Sequence, residues 1–263
     1  MQPATDFPFD GSEAGIALWP TVHRPFSPPA RPWFMYQQWE HLLFAHWPIS
    51  PQQLDGLIPE GLTVDLFEES AWLTVTPFLI TGARLRWLPS VGSLFDFPEM
   101  NVRTYVALQG MPGVYFFRLD AANRLAVAGA RILYHLPYYH ARMRIDRENT
   151  GYHYRSARHR DDAGASAAWK CRYTPTGAAG PAQPGSVEHF LAERYCLYAG
   201  HDGAIYRAHI HHPPWHIQPV EAEIEQNQAA EAAGIRLPPT APICNFSRMQ
   251  RTVIWLPELV DAR

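Results

Sequence analysis

Phe97-Pro98-Glu99-Met100-Asn101-Val102-Arg103-Thr104-Tyr105 alternates in character residue by residue. Successive side chains of a β-strand point to opposite faces, so as a strand this stretch puts Glu99, Asn101, Arg103 and Tyr105 on one face. Met100, Val102, Thr104 and the following Val106 fall on the other, which suits a core. An acid, an amide, a guanidinium and a phenol in one row either face solvent or line a polar cavity. In a cavity they would offer donors to a carboxylate or carbonyl, with Glu99 as a possible acid or base.

Similar patterns extend to both sides. Arg31–Trp47 is dense in aromatics and partly alternating, which predicts a strand. Leu62–Phe67 and Ala71–Leu79, joined across Glu68-Glu69-Ser70, predict a hairpin, and residues 81–98 a long loop. Gly113–Leu119, Leu125–Tyr134, His140–Arg147, Tyr152–Arg158 and Ala165–Tyr173 all look strand-like. Tyr195–Tyr198 and Ala204–His211 flank Asp202-Gly203, a strong hairpin signal, and a last strand covers Thr252–Leu256. A short helix is expected after Ser50, a second from Ser186 to about Arg194, and the clearest over Glu221–Ala233, stopped by Gly234 and Pro238-Pro239. The expectation is a mainly β (α+β) protein: an extended arm over residues 1–30, then one sheet-dominated domain over 31–263 with two or three peripheral helices.

Composition narrows the function classes. The 263 residues are 47% hydrophobic and 18% charged, which is globular. A net charge of −3 gives no basic footprint, so no nucleic-acid partner is expected. No apolar run approaches the roughly 18 residues of a membrane span, so no membrane partner is expected either. Cys171, Cys196 and Cys244 form no C-x-x-C pair, and the first thirty residues carry no secretion pattern; both point to the cytoplasm. A homo-oligomer is one association the sequence allows, through its aromatic-rich N-terminal half.

Two more stretches hold chemistry. Arg131-Ile132-Leu133-Tyr134-His135-Leu136-Pro137-Tyr138-Tyr139-His140 gathers three phenols and two imidazoles around a proline. These either pack or bind an oxygen of a ligand. His209-Ile210-His211 places two imidazoles on one strand face, a spacing that suits two metal ligands given a third such as His216; Arg207 on that face opposes a cation. Glycine-rich phosphate loops, H-E-x-x-H and G-x-S-x-G are all absent, and no cofactor is indicated. Lysine occurs once, at Lys170. Any imine or phosphate-loop chemistry must use that residue or be missing.

Arg31–Ile49, Pro59-Glu60-Gly61-Leu62-Thr63-Val64-Asp65, Glu99–Tyr105 and His212-Pro213-Pro214-Trp215 together resemble the YqjF-like family, the domain of unknown function DUF2071. The resemblance spans roughly residues 30–256. That family is similar to the acetoacetate decarboxylase superfamily, which implies an antiparallel sheet curved into a cone-like closed barrel with an internal ligand cavity. The decarboxylase stretch P-E-P-L-x-[IV]-D falls on Pro59–Asp65, and its active-site glutamate on Glu99. Its segment G-R-E-L-S-A-Y-P-K-K falls on Ala130–Tyr139, keeping Arg131 and Pro137 but placing Tyr138 and Tyr139 where the two lysines stand. Tyrosine forms no imine with a ketone. The resemblance therefore implies a retained cavity with altered contents. Glu99 and Tyr138 are its candidate catalytic groups, and Asn101, Arg103, Tyr105, Arg131, Tyr134 and Tyr139 its candidate binding groups. The expected partner is a small organic acid or carbonyl compound, either turned over without lysine or bound and sensed. A metal-binding protein built on His209 and His211 is the remaining alternative.

Overall fold

The computed structural model describes residues 12–88, 95–158 and 167–260. Its strands are β1 (Met35–Ile49), β2 (Thr63–Val64), β3 (Ala71–Leu85), β4 (Phe97–Leu108), β5 (Met111–Ala121), β6 (Tyr138–His140), β7 (Arg142–Glu148), β8 (Gly151–Arg158), β9 (Ala167–Pro175), β10 (Gly180–Pro181), β11 (Cys196–His201), β12 (Ala204–His211), β13 (His216–Asn227), β14 (Ile243–Ile254) and β15 (Glu258–Val260). Three α-helices, α1 (Glu13–Ala17), α2 (Arg124–Tyr134) and α3 (Val187–Ala192), accompany them. The protein is mainly β.

The hydrogen-bonded path β12-β11-β5-β4-β3-β1-β14 returns to β12 through Ile210 opposite Ile254 and His211 opposite Val253. The seven strands make a closed ring, which leaves none of them as a free edge. All pair antiparallel except β11 with β5. From β14 the path continues through β13, β9, β8 and β7. The largest core forms where this extension packs on the ring: Leu43, Ala45, Val75, Met100 and Val102 meet Tyr154, Trp169 and Cys171. The alternate residues of β1, β3 and β4 carry Leu42, Phe44, Thr76, Phe78, Glu99, Asn101 and Arg103 to the opposite face, where they line a cavity. Both faces of β4 are thus buried, one apolar and one polar.

The Asp202-Gly203 turn joins β11 to β12 with both residues at positive φ, 50° and 74°, the geometry a two-residue hairpin needs. Several other elements differ from the sequence expectation. Glu221–Ala233 is not a helix: β13 runs to Asn227, and a single 3-10 turn, Glu231–Ala233, precedes Gly234 at φ 79°. Val220, Ala222 and Ile224 alternate with Glu221, Glu223 and Glu225, and the apolar set packs on the core. The period of two outweighs the high helix propensity of the glutamates. Conversely, Leu125–Tyr134 is helical rather than extended. The Asn123 side chain accepts from the amides of Leu125 and Ala126, and His135 closes the helix at φ 55°. The expected pairing of residues 62–67 with 71–79 also fails, because β2 pairs with β4. The stretch 81–98 is strand at both ends, with residues 89–94 outside the described residues. After Ser50 there is only a 3-10 turn, Pro51–Leu54, and the Ser50 hydroxyl donates to the Gln52 side chain instead of capping. Of residues 1–30, those from 12 onward are described: α1 forms there, and Ile16 and Trp19 pack with Trp33, Tyr36, Val253 and Trp255.

Candidate functional site

The cavity has a volume of about 370 Å³. Beta-strands β1, β3, β4 and β5 supply most of its wall, and α2 covers one side with Ala126, Gly129, Ala130, Leu133 and Tyr134. Most lining side chains are aliphatic or aromatic. The polar ones concentrate on β4 and the facing positions of β3, where Thr76 lies opposite Asn101.

Glu99 is 3% exposed, and the Tyr138 hydroxyl donates to its Oε2 at 2.9 Å. Burial raises the Glu99 carboxyl to about 8; the tyrosine bond offsets that only in part. At neutral pH Glu99 is therefore an uncharged acid. With Oε2 accepting from Tyr138, the acid proton belongs on Oε1. Burial and the neighbouring carboxyl also push the Tyr138 phenol well above its ordinary value, so Tyr138 is a donor and not a base.

Arg103 is 8% exposed, and its Nε and Nη2 have no hydrogen-bond partner among the described residues. These two groups form the side-on fork that fits both oxygens of a carboxylate. The guanidinium lies 5.6 Å over the Phe44 ring, which supports the charge without using the fork. Further lining residues carry polar atoms without a partner among the described residues: Thr76 Oγ1, Asn101 Oδ1, the Tyr134 hydroxyl and Trp215 Nε1. Buried polar groups are ordinarily paired, so this concentration describes a place where something polar belongs.

Of the candidate residues, Glu99, Asn101, Arg103, Tyr134 and Tyr138 are brought together on one cavity. Three are not. Tyr105 is fully buried behind it, its hydroxyl 2.7 Å from Thr74 Oγ1, which in turn lies 2.8 Å from His46 Nδ1. Arg131 is exposed on the last turn of α2 and donates from Nε to the Tyr138 carbonyl at 2.6 Å. Tyr139 points away from Tyr138, as neighbours on a strand must. Its ring faces the guanidiniums of Arg118, Arg131 and Arg158 at 5.0, 5.4 and 4.4 Å. Arg118 and Arg158 flank the fully buried Asp120 at 3.8 and 4.0 Å.

Other lining residues carried no signal in the sequence. Thr76 becomes visible only through the β3–β4 register, and Arg194 only through its ion pair with Asp65 behind α3. Trp215 packs on Trp39 and Phe44, and its indole also lines the cavity. Lys170 lies elsewhere, ion-paired with Glu225 between β9 and β13.

His209 and His211 are buried but occupied. Arg24 donates to His211 Nδ1 at 3.2 Å, and His209 Nε2 lies 3.4 Å from Glu258. Among the described residues no three His, Cys, Asp or Glu side chains are grouped so as to hold a metal ion. No helix of the described residues is long and apolar enough to cross a membrane.

The model of the family DUF2071, described as an uncharacterized conserved protein, matches residues 36–251. The chain belongs to the DUF2071 family. YqjF of Bacillus subtilis, itself uncharacterized, is 41% identical to this DUF2071 protein over 223 residues, covering 85% of this chain and 91% of YqjF. Among solved structures, the acetoacetate decarboxylase of Legionella pneumophila superposes with a TM-score of 0.58 at 14% identity, covering 90% of this chain and 93% of that one. An acetoacetate decarboxylase-like enzyme from Sphingomonas wittichii gives 0.59 at 12%, covering 90% and 98%. The enduracididine biosynthesis enzyme MppR, solved with pyruvate, gives 0.58 at 10%, covering 90% and 93%. This DUF2071 protein therefore has the acetoacetate decarboxylase-like fold. At such identities the likeness speaks for the fold alone.

Proposed function

We propose that this protein takes an organic acid bearing a carbonyl group into its cavity and moves a proton on it without forming an imine. The observation that carries this reading is the pairing of an unoccupied Arg103 fork with a neutral Glu99 acid in one buried space. Arg103 holds the carboxylate. Glu99, oriented by Tyr138, gives its proton to the carbonyl oxygen while a water molecule takes the proton from the adjacent carbon; the enol forms with a Glu99 carboxylate and a hydronium ion, and the reverse step restores the neutral acid with a solvent hydrogen on carbon. Asn101 and Thr76 offer further polar contacts on the same wall. MppR, of the same fold, was solved with pyruvate, a keto acid, which supports the ligand class. The resemblance that places Tyr138 and Tyr139 at the lysine positions supports the absence of a Schiff base.

The test is deuterium uptake from solvent into the carbons beside the carbonyl of a panel of 2-oxo and 3-oxo acids, followed by NMR. Uptake is expected to fall at least a hundredfold in Glu99→Gln, while binding persists. Arg103→Met should abolish binding. Binding without any uptake in the native protein would make this a sensing or carrier protein, and the loss of both in neither variant would overturn the site.

A further inference from the structure

The cavity is far more apolar than a keto acid such as pyruvate or acetoacetate needs, and it is long. On β3 its lining extends from Thr76 to Leu85, nine residues further along the strand, which at the usual rise is about 30 Å of strand. Burial is complete from Ala71 to Phe78 and gives way to partial exposure from Thr81 onward. The Thr76 end, beside Asn101 and Arg103, is therefore the closed end, and the Leu85 end is the mouth. Apolar residues continue to the mouth, where Leu88 and Leu133 line the cavity while 56% and 44% exposed. Between the two ends the wall is made of Trp39, Phe78, Ile80 and Phe97, while Leu119 and Phe116 stand opposite Asn101 and Arg103 at the closed end. An apolar surface of this kind is costly to leave wet and gains most from a matching ligand.

Resting on the carboxylate reading above, we propose that the acid taken by this cavity is an amphiphile. Its carboxylate sits on the Arg103 fork at the closed end, and its long hydrocarbon or aromatic body fills the apolar channel toward Leu88 and Leu133. The selectivity is then for body length: each methylene buried against the channel tightens binding, and three- or four-carbon acids leave most of the wall without a partner.

The direct experiment is calorimetric titration of the full chain with straight-chain carboxylates from acetate to dodecanoate, and with the corresponding primary alcohols. Affinity is expected to rise about fourfold per methylene over the middle of the series. The alcohols should trail the acids by at least tenfold, and Arg103→Met should erase that difference. Gly129 supplies a second, steric arm. It lies on the cavity side of α2, and a Cβ built on it meets no atom within 4 Å. Leucine is also the better helix former, so Gly129→Leu should fold and yet occupy the channel. Dodecanoate affinity is expected to drop at least tenfold in that variant, and the preferred length to shorten.

An affinity that stays flat with chain length, with acetate or pyruvate bound as tightly as dodecanoate and lost in Arg103→Met, overturns the amphiphile and leaves the carboxylate site standing. A chain-length gain shared equally by the alcohols and indifferent to Arg103→Met overturns the carboxylate site, and the proposal with it.

Discussion

Tyr138 reaches Glu99 across an intervening strand. The two residues stand on β6 and β4, which do not pair; β5 lies between them, hydrogen-bonded to both. The phenol nevertheless donates to Glu99 Oε2 at 2.9 Å, because the short β6 ends a helix-and-turn excursion that folds over the ring. The bond favours the ionised carboxyl, and burial opposes it more strongly. Tyr138→Phe removes the opposing contribution. The expected result is a Glu99 carboxyl that stays protonated to still higher pH, read as an upward displacement of any activity or binding transition assigned to it. An unchanged transition would mean that the bond does not form in solution.

The same carboxyl ties stability to pH. Its folded value of about 8 lies above its ordinary 4.5, so between these pH values the native state keeps a proton that the unfolded state has released. Stability therefore falls as pH rises through that window, by about 1.4 kcal/mol per unit at most, and on the order of a few kcal/mol in total. Glu99→Gln keeps a neutral side chain of similar shape and removes the titration. Urea midpoints measured at pH 5.5 and pH 8 should converge in Glu99→Gln relative to the native protein. Parallel curves for the two proteins would refute a buried neutral Glu99.

The ring depends on a close backbone approach at its one parallel pair. Leu197 and Tyr198 of β11 lie opposite Val114 and Tyr115 of β5. A Cβ on Gly113 would stand 2.7 Å from Cys196 Sγ and 2.8 Å from the Cys196 carbonyl oxygen. The second atom is backbone and cannot swing away. Gly113→Ala is expected to cost about 1–3 kcal/mol, within the range of overpacked cores, seen as a lower urea midpoint with an unchanged slope. A neutral effect would show that the two strands separate easily.

The polar face of β4 was legible in the sequence because strand alternation is a local property: Glu99, Asn101 and Arg103 share a face whatever surrounds them. What surrounds them is a matter of tertiary pairing. Thr76 joins that wall through the β3–β4 register, and Arg194 through α3, neither of which local sequence encodes. Tyr105 has the right parity, but the space around it is filled by Phe190 and Thr74. The misread elements have a common cause. Glu221–Ala233 and Leu125–Tyr134 both mix helix-favouring residues with a period that short apolar runs define poorly, and packing on the core decided the first while the Asn123 cap decided the second. Arg131 matched a family motif, yet its place on a helix end turns it outward.

Three buried histidines predict acid lability. Arg24 donates to His211 Nδ1 and, at 2.6 Å, to the Ile210 carbonyl, which fastens the N-terminal segment across β12. An arginine can only donate, so His211 Nδ1 must be unprotonated. Burial, with Arg24 next, lowers His211 to about 3; burial and Arg207 lower His209 to about 4; burial and Arg103 lower His46 to about 3. In each case the unfolded imidazole takes up a proton near 6.5 that the native one refuses, so stability is present above that value and lost as pH falls toward 4. The loss should be on the order of 2 kcal/mol per histidine at pH 4.5. His211→Gln should remove one such share, lowering stability at pH 8 but flattening its decline on acidification. An equally steep decline would place the sensitivity elsewhere.

The single lysine allows a decisive check on the chemistry. A ketone forms an imine only with an amine, and borohydride reduces that imine to a stable adduct. Tyr138 stands on the cavity beside Glu99, and Tyr139 lies under the Arg118–Asp120–Arg158 group. Neither can form an imine. Lys170 is committed to Glu225 on strands that pack outside the ring. Incubation with acetoacetate and borohydride, followed by intact mass and peptide mapping, is therefore expected to leave every internal residue unmodified, although the ligand series binds. A reduced adduct on Lys170 would show that the cavity is not where the carbonyl chemistry occurs, and would move the reacting site to β9.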